Sequence, residues 1–433
     1  MTLGSLPFRE IWACDFEFRA PPGERIQLVV CMCARELRSG RELNLWGDEL
    51  LRLRAAPFNV GPDSVFVAYA AAAEMGCFLE LGWPIPINIV DLFAEHRVET
   101  NGLWLPLGDS LIGALAVRGL AHMDAGDKHE MRQLIMSRRT LEEYSGEERS
   151  RTQAYCRGDV LALEALMPKM KFDKLFRALH YGRYGPAVAR MQAAGVPVDA
   201  PFCHSLFEDQ EELKRDLIRE VDVHFGIYED GHRRYALFEQ WLREHGLQHS
   251  WKRTPSGLPA FDEESLEEQI LLHPELPQLR LLRELDATLQ QMELGALPIG
   301  EDGRHRFSVH PFRTITGRNA PTGGKDLSGQ ALPFIFGAAK WMRGLIKPPP
   351  GYGLAYLDFA AEEVAIAAAL SHDARLAEHY SSGDPYWRFA VAAGLDSRGD
   401  RATIRALVKV LFLAIGYGMG PSTLAVRAGI SLA

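Results

Sequence analysis

Cys14-Asp15-Phe16-Glu17-Phe18 is the segment that most restricts what this chain can fold into. It sits in an apolar run with strand character. Side chains alternate across a strand, so Asp15 and Glu17 project from one face while Cys14, Phe16 and Phe18 occupy the other. Two anions side by side on a half-buried strand repel each other. A hard divalent cation such as Mg²⁺ or Mn²⁺, which takes carboxylate oxygens, suits such a pair. The plainer account is the exposed polar face of an edge strand.

Three further segments read as strands, Arg25 to Arg35, Glu42 to Trp46 and Ser64 to Tyr69, and helical patterns follow them, so the first 170 residues are α/β. From about 172 to 300 the pattern turns charged and amphipathic, with helices expected over Glu208 to Phe225 and Leu266 to Leu294. After Gly300 the chain is basic and turn-rich. Pro348-Pro349-Pro350-Gly351 then introduces an apolar strand, Leu354 to Phe359, followed by two helices.

At 433 residues the chain is too long for a single ordinary core, and four regions are expected, 1–170, 171–300, 301–375 and 376–433. Its longest apolar runs, Val364 to Leu370 and Val410 to Ile415, fall far short of the ~20 residues that span a bilayer. The net charge of −9 argues against a protein that coats nucleic acid. One stretch reverses that balance: 304 to 347 holds Arg304, Arg306, Arg313, Arg318, Lys325, Lys340, Arg343 and Lys347, with Asp326 as its only acid. The cysteines, at 14, 31, 33, 77, 156 and 203, form no CxxC pair and read as buried thiols of a reducing cytoplasm.

Two helical stripes carry chemistry. Tyr155 and Asp159 are four residues apart and share one helix face. Arg405, Lys409, Leu413 and Tyr417 advance by ~40° per step and form a second stripe, whose two cations suit a triphosphate and whose apolar end suits a base. Asp358 closes the Leu354 to Phe359 segment, where it serves either as a metal ligand or as a helix cap.

The DxE strand followed by tyrosine–x3–aspartate resembles the DEDD-type 3′–5′ exonucleases. Asp358 to Glu363, continuing to Leu370-Ser371-His372-Asp373, resembles motif A of family A DNA polymerases, and Arg405-x3-Lys409-x7-Tyr417-Gly418 resembles their motif B. Thr314-Ile315-Thr316-Gly317-Arg318 is similar to the T-x-TGR segment of that family, and Gly383-Asp384-Pro385 to its GxDP element. The resemblance implies an RNase-H-like exonuclease domain, a helical thumb, and a partial palm and fingers. It further implies DNA-directed DNA polymerisation with proofreading, and two Mg²⁺ or Mn²⁺ ions per active site.

By the same resemblance, Asp15, Glu17, Asp159 and either Glu74 or Asp91 hold the exonuclease metals, and Tyr155 orients the attacking water. Asp358 is the polymerase metal ligand and Glu363 excludes a ribose 2′-hydroxyl. Arg405, Lys409, Leu413 and Tyr417 bind the incoming deoxynucleoside triphosphate, and Arg313, Thr316, Arg318 and Arg343 hold primer–template DNA. Position 70 is alanine where the family has asparagine, and Ala360-Ala361 replace a polar pair. The His-Asp-Glu of motif C does not occur in the sixteen residues after Tyr417. The expectation is therefore a fragment that does not polymerise alone, with a partner chain supplying that motif, working in the cytoplasm at the nucleoid.

Overall fold

β1 (Glu10–Arg19) forms the centre of a five-stranded sheet in the order β3-β2-β1-β4-β5, with β2 (Leu28–Glu36), β3 (Glu42–Trp46), β4 (Ser64–Ala68) and β5 (Ile89–Asp91). β2 runs antiparallel to its neighbours β1 and β3, whereas β4 runs parallel to β1 and β5 parallel to β4. In this computed structural model, residues 6–121, 125–170, 174–273, 276–292, 297–324, 330–336 and 340–428 are described. The four strands expected within the first 170 residues all form. The second starts at Leu28 rather than Arg25, and the three-residue β5 joins them.

The two faces of β1 build two cores. Ile11 and Ala13 pack with Cys31, Cys33, Val67, Cys156, Val160 and Leu163 beneath the Gly146–Leu166 helix. Trp12, Cys14 and Phe16 pack with Phe66, Met75 and Phe78 beneath the Ala72–Glu80 helix. Covering both faces makes β1 a buried strand, and its two carboxylates therefore do not sit on an exposed edge. At Gly182, the last residue of the Leu175–Gly182 helix, an added Cβ would lie 1.8 Å from the Ile89 carbonyl oxygen.

Residues 210–292 form a separate helical cluster. Gln210–Asp222, Tyr235–Glu244, Glu263–Leu272 and Gln278–Met292 gather around Phe225, Phe238, Trp241, Trp251 and Phe261. The single helix expected over Leu266 to Leu294 is in fact two. Pro277 lacks an amide hydrogen and cannot continue a helix across that point. The chain then returns to its start: Arg304–His305 pairs with Val196–Pro197, and Leu345 accepts the Asp199 amide at 2.9 Å.

The chain divides into two compact units, Met1–Gly351 and Tyr352–Ala433. The second consists of helices Glu362–Ser371, Ala374–Ser381, Pro385–Ala392, Arg401–Gly416 and Pro421–Ala428, with Val364, Tyr386, Ala390, Ile404 and Val408 at its core. The strand expected over Leu354 to Phe359 does not form. A strand needs a hydrogen-bonded neighbour, none pairs with this segment among the described residues, and Tyr356, Leu357 and Phe359 are exposed. Val410 and Ile415 are exposed, whereas Leu411 and Phe412 are half-buried, Phe412 against the helical core. No helix among the described residues is long and apolar enough to cross a membrane.

Gly182→Ala is expected to destabilise the first unit by about 2 kcal/mol, because the methyl group has no space against β5. A urea midpoint equal to that of the parent chain would show that the helix shifts to accommodate it.

Candidate active site

Asp15 and Glu17 sit where β1 emerges between its two helices, next to a register slip at Glu17/Phe18. Such slips re-aim side chains at the ends of strands. The Gly146–Leu166 helix brings Tyr155 and Asp159 to the same place. Ser145 and Glu148 close a reciprocal cap at its start (3.2 and 2.9 Å), and Arg157 grips Glu42 of β3 through two 2.9 Å bonds. Cys156, Val160 and Leu163 bury the stripe facing the sheet, which fixes the helix rotation that points Asp159 toward Asp15.

Burial dominates the electrostatics, with like-charge repulsion second for Asp15, Glu17 and Glu74. Burial, then Asp159, pushes the Asp15 carboxyl well above the usual carboxylate range. Burial, then Asp15, does the same to Glu17 and to Glu74. Burial raises Asp159 too, while Lys128 and a hydrogen bond from Tyr155 oppose the rise. Asp15 and Glu17 oxygens and the Cys156 sulfur lie within 4.8 Å of one another; Glu74 and Asp159 do not join that mutual cluster. Asp15 Oδ2 and Glu74 Oε2 are shut off from solvent with no hydrogen-bond partner. Orphaned carboxylate oxygens in a cluster of like charges are the donor set that hard divalent cations need, so the residues present fit Mg²⁺ or Mn²⁺.

Glu74 and Asp91 differ sharply in their surroundings. Asp91 is saturated by main-chain amides: those of Ala70 and Phe93 donate to Oδ1 (3.0 and 2.9 Å) and that of Ala71 to Oδ2 (3.1 Å). Burial still lifts its carboxyl to about 6. Asp91 therefore caps the Leu92–Glu99 helix and holds Ala70 in a left-handed conformation (φ 66°), a backbone state in which asparagine is less strained than alanine.

Two contributors escaped the sequence reading. Lys128 is half-buried on the Ala125–Ser137 helix, and its charge draws down Asp15, Glu17 and Asp159. Its legible signal is a cation three and seven residues before Met131 and Ile135, which are buried on the same helix face. Arg97 is the other. It pairs with Asp109 and donates to the carbonyls of Phe312 and Arg313, while Asn101 holds the Ile315 carbonyl at 2.8 Å. Phe312, at φ 51°, packs 4.4 Å from Tyr181. The loop carbonyls are thus turned inward, and Arg313, Thr316 and Arg318 are exposed at the surface, as is Arg343 elsewhere.

Not every cation of the basic stretch is presented this way. Arg306 is buried on Asp302 and the carbonyls of Gly23, Gln192 and Ala193, and Arg304 donates to the Ala194 and Gly195 carbonyls. Lys347 pairs with Asp199 at 2.6 Å. Lys325 and Asp326 lie outside the described residues. A cavity of about 390 Å³ is lined by Phe18 and Ala73, the chain neighbours of Glu17 and Glu74, and by Gly76, Tyr184, Phe307 and His310.

In the second unit, Arg405, Lys409 and Leu413 follow one another along a single helix, with Tyr417 at its end. Arg405 donates to both Asp384 oxygens (2.9 and 3.0 Å), and Asp384 also caps the Pro385–Ala392 helix. Lys409 is exposed, Glu363 is half-buried with its charge felt by Tyr386, and Asp358 is exposed on the unpaired segment.

Comparison with known proteins gives these features a context: the chain is similar in sequence to phage DNA polymerases and in fold to a polymerase domain. Over 292 residues, 60% of the chain, it is 26% identical to a DNA polymerase of Escherichia phage T5. Over 134 residues, 30% of the chain, it is 32% identical to a DNA polymerase of Mycobacterium phage D29. The chain spans 33% and 21% of the lengths of these two relatives. Its fold is similar to that of the POL domain of Pol1 from M. smegmatis, solved in complex with DNA primer-template and dNTP. That similarity has a TM-score of 0.66 at 16% identity and covers 97% of this chain and 70% of the other. No protein-family model matches the chain.

The raised carboxyls make a pH-dependent statement. A folded-state pKa above the unfolded value costs stability as pH climbs past ~4, the ordinary carboxylate range, and the loss is complete above the folded pKa. Asp15→Asn is therefore expected to raise the melting temperature at pH 8 in chelator, and to shrink the further gain that Mn²⁺ gives the parent chain. A melting temperature lowered by the substitution would show that Asp15 is not under repulsion.

Proposed function

We propose that residues 1–170 form an RNase-H-like, metal-dependent 3′–5′ exonuclease and that the remainder is the thumb, palm and fingers portion of a family A DNA polymerase, with boundaries near 170, 300 and 375. The observation that carries the exonuclease reading is the approach of Asp159, hydrogen-bonded to Tyr155, to the half-buried Asp15–Glu17 pair. The strand order β3-β2-β1-β4-β5, with β2 antiparallel to both its neighbours and β4 and β5 parallel to β1, supports it.

In this reading Asp15, Glu17, Asp159 and Glu74 hold two Mg²⁺ or Mn²⁺ ions. When bound, such ions supply the Lewis acidity that activates a water and stabilises a leaving 3′ oxygen. Tyr155 orients that water from its place on Asp159. The cavity beside Phe18 and Ala73 receives the terminal nucleotide, its volume lying in the range of small-ligand sites.

The polymerase half contributes duplex binding. Arg313, Thr316, Arg318 and Arg343 contact primer–template phosphates, and Arg97 positions the loop that bears the first three. Arg405 and Lys409 meet the triphosphate, which requires Arg405 to leave Asp384. Leu413 and Tyr417 lie against base and sugar, Glu363 screens the 2′ position, and Asp358 is the metal ligand.

The decisive experiment is digestion of a 5′-labelled single strand in Mn²⁺. The full chain is expected to shorten it from the 3′ end, and Asp159→Asn and Tyr155→Phe to slow it by roughly a hundredfold. No shortening by the parent chain would overturn the exonuclease reading and leave a DNA-binding protein. Asp358 meets no cluster of three metal-ligating side chains among the described residues, so the same chain is expected not to extend a primer.

Binding to duplex separates the two kinds of loop residue. Arg318→Ala should reduce the slope of log affinity against log salt by about one. Arg97→Ala should weaken affinity with the slope unchanged, because Arg97 faces carbonyls rather than phosphate. Equal slopes for the parent and Arg318→Ala would remove Arg318 from the DNA contact.

A further inference from the structure

Beside the carboxylates lie three thiols to which the nuclease reading gives no task. Cys31 and Cys33 of β2 stand directly opposite Glu17 and Asp15 of β1, so all four side chains share one face of the sheet. Cys156 comes down on that face from the Gly146–Leu166 helix. Its Sγ donates to the Asp15 carbonyl at 3.3 Å and is within hydrogen-bonding reach of both Cys31 and Cys33 and of the Asp15 side chain. Cys33 Sγ is engaged elsewhere, donating to the Gln153 carbonyl at 3.6 Å. One oxygen from each of Asp15 and Glu17 and the Cys156 sulfur are within 4.8 Å of one another, and no other such group of three occurs among the described residues. The solvent-shielded Asp15 Oδ2 has no hydrogen-bond partner.

We propose that Asp15, Glu17 and Cys156 form a mixed carboxylate–thiolate site for a borderline divalent cation, Zn²⁺ or Cd²⁺. The inference rests on the donor geometry and stands whether or not the chain is a nuclease. Hard Mg²⁺ ignores sulfur, whereas Zn²⁺ takes oxygen at ~2.0–2.2 Å and thiolate at ~2.3 Å in tetrahedral geometry. Those bond lengths put donors roughly 3.5 Å apart, so a group already within 4.8 Å closes by side-chain rotation. On binding, the Cys156 thiol releases its proton to solvent and exchanges its bond to the Asp15 carbonyl for one to the metal. Two carboxylates and one thiolate against a dication leave a single net negative charge where the metal-free ionised pair carries two. A water completes the fourth position. If the nuclease reading also holds, Zn²⁺ in this arrangement competes with the Mg²⁺ or Mn²⁺ that the same carboxylates bind.

The test is Co²⁺ titration of the reduced full chain in a Cys203→Ser background, which removes the half-exposed thiol. Expected are a near-ultraviolet thiolate-to-cobalt charge-transfer band saturating at one equivalent, its bleaching by stoichiometric Zn²⁺, and its absence in Cys156→Ala. Asp15→Asn should weaken Co²⁺ binding by about tenfold or more, and Cys77→Ala should leave the band intact. Absence of the band in the parent chain, or its survival in Cys156→Ala, overturns the site. Mn²⁺ should still raise the melting temperature of Cys156→Ala; loss of that shift together with the band would make Cys156 a structural residue and also overturn the site. Should Cys156→Ala not fold, Asp15→Asn decides, since an unchanged Co²⁺ affinity there removes Asp15 from the ligand set.

Discussion

Like-charge repulsion inside a covered sheet is the constraint to which the rest of the first unit responds. Asp15 and Glu17 occupy β1, the central strand, and the cores on either side of it leave the pair only half-exposed, with Asp15 Oδ2 shut off from water. A carboxylate pair in such a place is costly unless something positive approaches, and every element packed around it bears on that need. The Gly146–Leu166 helix adds a third acid but supplies Tyr155 as a donor. The Ala125–Ser137 helix turns Lys128 inward. The segment before Ala72–Glu80 sets up Glu74 through an alanine in a left-handed conformation, which the amide-saturated Asp91 stabilises. The site is under tension because it is built to be completed.

A second theme is the use of arginine on main-chain carbonyls. Arg97 and Arg306 each place a planar fork where carbonyl oxygens from distant segments converge, so that loops lacking secondary structure hold a defined shape. This explains why a basic stretch need not be a basic surface. Arg304 and Arg306 support the fold while Arg313 and Arg318 a few residues on are presented outward.

The sheet was legible because alternation along β1 and the apolar runs around it are local signals, and the Tyr155–Asp159 stripe was legible because helix periodicity is local too. What stayed hidden depends on long-range pairing. Whether Asp91 or Glu74 is available turns on the amides of Ala70 and Ala71, some twenty residues earlier in the chain, and the inward turn of Lys128 depends on which face of its helix meets the sheet. Leu354 to Phe359 has strand composition, but a strand is made by its neighbour and not by its own residues. Pro277 is a local signal too, and its missing amide hydrogen outweighs the amphipathic periodicity that runs across it.

The loop between β1 and β2 has a meaning for how such a protein can be rearranged over time. Gly23 adopts φ 81°, a Cβ there would lie 2.8 Å from Pro298, its carbonyl accepts Arg306 at 3.0 Å, and Glu24 accepts the Glu301 amide at 2.8 Å. Nearly three hundred residues of sequence separate these partners, yet they form one joint. The N-terminal sheet is consequently not a cassette that recombination can exchange at residue 170 without loss. A transplanted sheet would arrive with its β1–β2 hairpin unmatched to the receiving 298–306 segment, and lineages carrying this joint are expected to inherit the two regions as a block.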